Sequence, residues 1–124
     1  MFKTIQTDEA PAAVGPYSQA VQKGDFVFIS GQLPLNPNDG NMAETIEQQT
    51  EQVLKNIEAI LRASELSLSD VVKNTIYVKS IDDFAVVNEI YDRYFGEAKP
   101  ARATVGVNDL PKGALIEMES IAMK

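Results

Sequence analysis

The chain has no cysteine and no histidine. The first absence removes disulfides, thiolate nucleophiles and cysteine metal sites. The second removes the usual acid/base group near neutral pH and the commonest metal ligand. Chemistry is left to Asp, Glu, Arg, Lys, Tyr, Ser, Thr and the backbone, so no metal and no cofactor are expected. No apolar run approaches the roughly 20 residues that cross a bilayer. Met1 to Glu9 alternates polar and apolar residues and lacks the apolar core of a signal peptide, so a cytoplasmic protein is the expectation. A phosphate-binding glycine loop and a dinucleotide fingerprint are also missing. Asn36 to Gly40 fails as a calcium loop, because Leu35 and Pro37 fall at ligand positions and Ile46 replaces the closing glutamate.

What is there fits one domain, residues 1–124, with 44% hydrophobic residues and no internal repeat. Eighteen acids against eleven basic residues leave a net charge of -7. Such a surface repels phosphates and anionic lipid, which weighs against nucleic-acid and membrane partners. The pairs Asp8-Glu9 and Asp82-Asp83 read as surface charge and a helix cap.

Turn residues at Gly15-Pro16, Lys23-Gly24-Asp25, Asn36 to Gly40, Gly96, Lys99-Pro100 and Pro111-Lys112-Gly113 divide the chain. Tyr17 to Gln22 and Phe26 to Ser30 read as a β-hairpin. Ile46, Val53, Leu54, Ile57, Ile60 and Leu61 recur at helical spacing, which predicts a helix over Glu44 to Ser64 with a Thr45–Gln48 capping box. Val71 to Lys79 is rich in β-branched residues and predicts a strand. A second helix is expected from Asp83 to Phe95, with Asp82 as N-cap and Gly96 as its stop. Ala101 to Val107 and Ala114 to Met123 read as closing strands. The order ββαβαββ implies an α+β fold, one mixed sheet with both helices on one face.

The sheet's other face also carries apolar residues. Phe26 and Phe28 oppose Val27 and Ile29, while Val72, Ile76 and Val78 oppose Val71 and Tyr77. Two helices cover one face only, so a second subunit is the natural cover for the other.

Three groups of residues offer chemistry. Arg102 shares a strand face with Thr104 and Gly106, small neighbours that permit close approach of a ligand. A guanidinium there binds a carboxylate bidentately, or is a solvent-facing edge-strand arginine. Glu117 and Glu119 lie on one face of the last strand beside Leu115 and Ile121. Glu117 can activate water as a general base, or it belongs to an exposed face or structural ion pair. Tyr17 and Ser30 set hydroxyls beside backbone bends, where turn chemistry is the plainer account.

These stretches also carry a family resemblance. Ala10-Pro11-Ala12-Ala13-Val14-Gly15-Pro16-Tyr17-Ser18-Gln19-Ala20 resembles the opening block of the Rid/YjgF family. Ser30 to Leu35 resembles its second block and Asp83 to Tyr91 its helix block. Pro100 to Val105 with Leu110 to Glu119 resembles its C-terminal signature. The resemblance implies a chorismate-mutase-like homotrimer with sites in intersubunit clefts. It also implies deamination of 2-iminobutanoate and 2-iminopropanoate to 2-keto acids and ammonia. By this likeness Arg102 binds the substrate carboxylate and Glu117 positions the hydrolytic water. Tyr17 and Ser30 add hydroxyls, Gly31 lies beside them, and the backbone at Thr104 meets the substrate nitrogen. Thr104 stands where many members have cysteine, a change that preserves a backbone contact. Gly106 and Asn108-Asp109 also depart from the commoner signature.

An imine is already electrophilic, so a held carboxylate, a placed water and a proton acceptor are chemically sufficient. The alternative is a non-catalytic regulatory protein that binds small carboxylates at the same pocket. An endoribonuclease is the weaker rival, given no histidine, a negative surface and no basic run.

Overall fold

Residues alternating in and out along the strands, and recurring at helical spacing between them, form one six-stranded sheet with two helices packed on one side. The computed structural model describes residues 1–124. The strands are β1 (Lys3–Ile5), β2 (Ala20–Lys23), β3 (Phe26–Gln32), β4 (Val71–Val78), β5 (Ala101–Gly106) and β6 (Ile116–Met123). The helices are α1 (Ile46–Ala63) and α2 (Phe84–Phe95). The strand order is β1-β2-β3-β6-β4-β5. All neighbours are antiparallel except β4 and β5, which are parallel and linked through α2. The mixed α+β sheet is thus as expected, with one strand added at the front. At three residues, β1 is too short for alternation to mark it.

The core lies between the helices and one sheet face. Val27, Ile29, Ile76, Val78, Ile116 and Met118 meet Val53, Leu54, Ile57, Ile60 and Leu61 of α1 and Val87, Tyr91 and Phe95 of α2. Ile57 and Ile60 are fully buried, and each such side chain stabilises the fold by about 2–3 kcal/mol. The opposite face is uncovered. Phe26 and Phe28 are each 43% exposed, as is Val105, and the two phenylalanine rings stack at 6.1 Å.

Several local expectations are corrected. The hairpin's first strand starts at Ala20, not Tyr17. A register shift between Val71 and Lys73 puts Val71 on the core side with Ile76 and Val78 and leaves Val72 exposed. A bulge residue takes no cross-strand partner, so simple alternation misassigns it. Thr45 caps α1 by accepting from the Gln48 backbone N–H at 3.2 Å. The return arm differs from a capping box, because the Thr45 hydroxyl bonds the Gln48 side chain at 3.1 Å. Asp82 is not the cap of α2. It lies in a short 3-10 turn, Ile81–Asp83, whose cap is Ser80. Gly96 ends α2 with an ordinary helical φ of -63°. It is small because a Cβ there would come within 2.5 Å of the Asp92 carbonyl oxygen.

Candidate active site

A second register shift, between Ile29 and Gln32 of β3, re-aims the chain at Ser30 and Gly31. Bulges often serve this purpose beside functional sites. Gly31 faces Glu117 of β6. A Cβ on Gly31 would come within 3.0 Å of the Glu117 carboxyl carbon and 3.2 Å of both its oxygens. Glycine therefore gives the carboxyl its space. These residues line a cavity of about 640 Å³ together with Tyr17, Ser30, Lys112 and Glu119. Partial burial pushes the Glu117 carboxyl above the usual carboxylate range, and the nearby Glu119 charge pushes it the same way.

The hydroxyls of this cavity differ in freedom. Ser30 donates to the Ser18 carbonyl at 2.6 Å, so its proton is committed and its oxygen is left to accept. Tyr17 is 54% exposed and follows a tight turn closed by its N–H on the Gly15 carbonyl at 2.9 Å. The N-terminal arm holding Tyr17 is tied down by buried Gln19. Its side chain accepts from the Thr7 N–H at 2.7 Å and donates to the Thr7 and Pro11 carbonyls at 3.0 and 2.8 Å. Sequence reasoning missed Gln19, since a lone glutamine in an apolar stretch carries no periodic signal.

Arg102 lies on the other side of the sheet. Its β4 partner is Asn74, whose side chain is buried in the core. The guanidinium is caged by α2. It donates to Asn88 Oδ1 at 2.7 Å and lies 4.9 Å from the Tyr91 ring and 5.3 Å from the Phe84 ring. Both rings lie within cation–π reach of the exposed guanidinium, and Asn88 takes one donor, leaving the other N–H groups free. The cage borders a smaller hollow of about 330 Å³ formed with Lys99, Pro100 and Gly96. Thr104 is on the same sheet face, opposite Ile76. Its hydroxyl is the one buried side-chain polar atom without a hydrogen-bond partner.

Within one chain the structure therefore brings Tyr17, Ser30, Gly31 and Glu117 together, and places Arg102 and Thr104 elsewhere. The two hollows share no residue. No three acidic side chains converge in a group able to hold a metal ion. No helix is long and apolar enough to cross a membrane.

A single sheet with helices on one face and a carboxyl-bearing cavity on the other defines a class of small α+β proteins. The chain belongs to the Rid/YjgF family, whose model, described as endoribonuclease L-PSP, matches residues 7–124. A RutC family protein of Pyrococcus horikoshii is 53% identical over 125 residues, covering 100% of this chain and 99% of that one. A 2-iminobutanoate/2-iminopropanoate deaminase of Salmonella typhimurium is 46% identical over 127 residues, covering 100% and 99%. RidA from an Antarctic Psychrobacter superposes with a TM-score of 0.95 at 50% identity, covering 98% and 99%. TdcF of Escherichia coli, solved with bound serine, superposes with a TM-score of 0.94 at 40% identity, covering 98% of each chain.

Proposed function

We propose that this chain is a cofactor-free hydrolase of reactive 2-imino acids, acting on 2-iminobutanoate and 2-iminopropanoate at sites shared between the subunits of a homotrimer. The observation that carries the reading is Glu117, a partly desolvated carboxyl set against Gly31 in a cavity with two hydroxyls. A carboxyl that titrates nearer neutrality is a better proton shuttle, because it both takes and returns a proton near working pH.

In the proposed reaction Glu117 takes a proton from a bound water while the water oxygen bonds to the imine carbon. The substrate enters as the protonated iminium, so the C=N π electrons move to nitrogen and leave a neutral carbinolamine. In the collapse Glu117 gives its proton to the amino nitrogen and takes the carbinolamine hydroxyl proton as the C=O bond forms and the C–N bond breaks. The ammonia released then carries that proton away from Glu117 as ammonium. Ser30, whose own proton is committed to Ser18, accepts a hydrogen bond from the substrate nitrogen or water. Tyr17 donates to developing charge on the substrate. The Thr104 backbone meets the substrate nitrogen, and Arg102 holds its carboxylate through the N–H groups that Asn88 leaves free.

Arg102 and Glu117 occupy opposite sides of one sheet, so the Arg102 serving a given Glu117 comes from a second copy of the chain. The exposed Phe26, Phe28 and Val105 supply an apolar face for that association. A relative of the same family is named an imine deaminase, which supports the substrate class. The second reading, a small-carboxylate-binding regulator, is favoured by the serine bound to TdcF. The ribonuclease in the family's description is poorly suited to a chain with net charge -7 and no histidine.

A coupled assay decides between them. An amino-acid dehydratase generates the imine in the presence and absence of this protein, and keto-acid appearance is followed. Faster imine loss supports the deaminase. Unchanged decay with saturable binding of 2-ketobutyrate supports the regulator. Light scattering alongside should give three times the 13.6 kDa chain mass.

A further inference from the structure

Glu119 is the second carboxylate of the Glu117 cavity. The two acids stand two residues apart on β6, on the same face and roughly 7 Å apart along the strand. Across the ladder, Tyr77 of β4 is registered with Glu117, and Thr75 with Glu119. The Tyr77 hydroxyl nevertheless reaches diagonally and donates to Glu119 Oε1 at 2.7 Å. Diagonal neighbours in a sheet are within reach of an aromatic side chain. The consequence is asymmetric. The Tyr77 phenol, registered with Glu117, anchors Glu119 instead, and Glu117 accepts no hydrogen bond within the chain.

We propose that Glu119, tethered by Tyr77, is a positioning residue that governs the proton exchange of Glu117; this rests on the role given to Glu117 above. The tether keeps a negative charge at a fixed place beside the reacting carboxyl, and a fixed neighbouring charge disfavours ionisation of the first. The phenol itself is held protonated by its bond to Glu119, with partial burial adding to the effect. It is thus a permanent donor. Within one chain the remaining titratable groups lining the cavity are Lys112, from the turn before β6, and Tyr17, from the N-terminal arm. The proposed trimer adds Arg102 of a second copy, whose positive charge acts on Glu117 in the opposite direction and is the same in wild type and both variants. Gly31 and Ser30 of β3 carry no charge. Glu119 is thus the only other carboxylate of the chain in this cavity.

Glu119→Gln keeps an acceptor for the Tyr77 hydroxyl and removes the charge. The acid limb of kcat/KM against pH should move to lower pH. On that limb the variant, normalised to its own plateau, should exceed wild type by about two- to fivefold, the size expected for removal of a part-exposed charge interaction. Tyr77→Phe keeps the charge but unties it, so the limb should move the same way by less. A purely structural role would lower the rate evenly at every pH, and superimposable normalised profiles would overturn the proposal. The Glu117 carboxyl carbon, titrated by NMR in wild type and Glu119→Gln, reads the same displacement without turnover. An unchanged titration refutes the Glu119 role. A displaced titration in a protein that hydrolyses no imine upholds the Glu119 effect on Glu117 and refutes the deaminase reading alone.

Discussion

Gly31 of β3 and Glu117 of β6 are in contact so close that position 31 has no room for a β-carbon unless the carboxyl moves. The constraint is steric, since Gly31 is not among the residues with positive φ. Gly31→Ala should therefore fold normally, with a stability change within about 1 kcal/mol, and displace Glu117. A displacement of a few tenths of an ångström should lower kcat by up to about tenfold. Steady-state kinetics beside a thermal melt would check this. Wild-type kcat in the alanine variant would show that Glu117 has slack and that the contact is incidental.

Glu117→Gln should lower turnover about a hundredfold or more while ligand affinity changes little, because the amide keeps the shape and cannot take a proton. Its effect on stability has a defined sign. The folded protein holds the Glu117 carboxyl above its ordinary value, so the native state favours the protonated form. That contribution is fully present at pH below the ordinary carboxylate value and is lost as pH rises through the folded one. At neutral pH the glutamine variant should thus be at least as stable as wild type. A clearly destabilised variant with intact turnover per folded molecule would make Glu117 a structural residue.

The orphaned Thr104 hydroxyl yields a third expectation. A buried hydroxyl without a partner costs free energy, and replacing it by a methyl of similar shape removes that cost. Thr104→Val should stabilise the protein by about 1 kcal/mol, a rise in Tm of roughly 4 °C at this chain length. If position 104 meets substrate through its backbone alone, activity is retained. Lost activity in a stabilised variant would give the hydroxyl itself a part in the site.

How much of this was legible in the sequence depends on the range of the interaction. The periodic run from Ile46 to Leu61 and the β-branched Val71 to Val78 mark α1 and β4, because burial of a stripe or face leaves a local pattern. The turn residues before Tyr17 and the small residues after Ser30 mark segments that do converge in one cavity. The relations that define the site are non-local. Tyr77 reaches Glu119 only through the register of β4 on β6. Arg102 finds Asn88 and Tyr91 only because α2 packs beside the parallel pair β4–β5. The bulge at Val71–Lys73 breaks the alternation that would have placed Val72. Strand alternation puts Arg102 on the face it shares with Thr104, and the structure has both there. The arginine's cage of aromatic rings could not be seen, since Phe84 and Tyr91 read equally well as ordinary core residues of a helix stripe.

The separation of Arg102 from Glu117 gives the sharpest test of the shared site. Arg102→Ala should abolish binding of 2-ketobutyrate, and Arg102→Lys should rescue little, because an ammonium cannot reproduce a planar two-bond contact. Losing such a contact with the carboxylate left desolvated costs roughly 2–5 kcal/mol. Neither variant alone tells whether arginine and glutamate come from one chain. A mixture does. Arg102→Ala and Glu117→Gln chains, each inactive, are unfolded together in equal amounts and refolded. In randomly mixed trimers with sites built from two chains, about one quarter of the clefts pair an intact Arg102 with an intact Glu117 from the neighbouring chain. Activity should return to about a quarter of the wild-type level, and only after chain exchange. If each site is built within one chain, no cleft in any mixture holds both intact residues, and the mixture stays inactive. The two arrangements differ by the presence or absence of turnover, a difference that uncertainty in protein concentration does not blur.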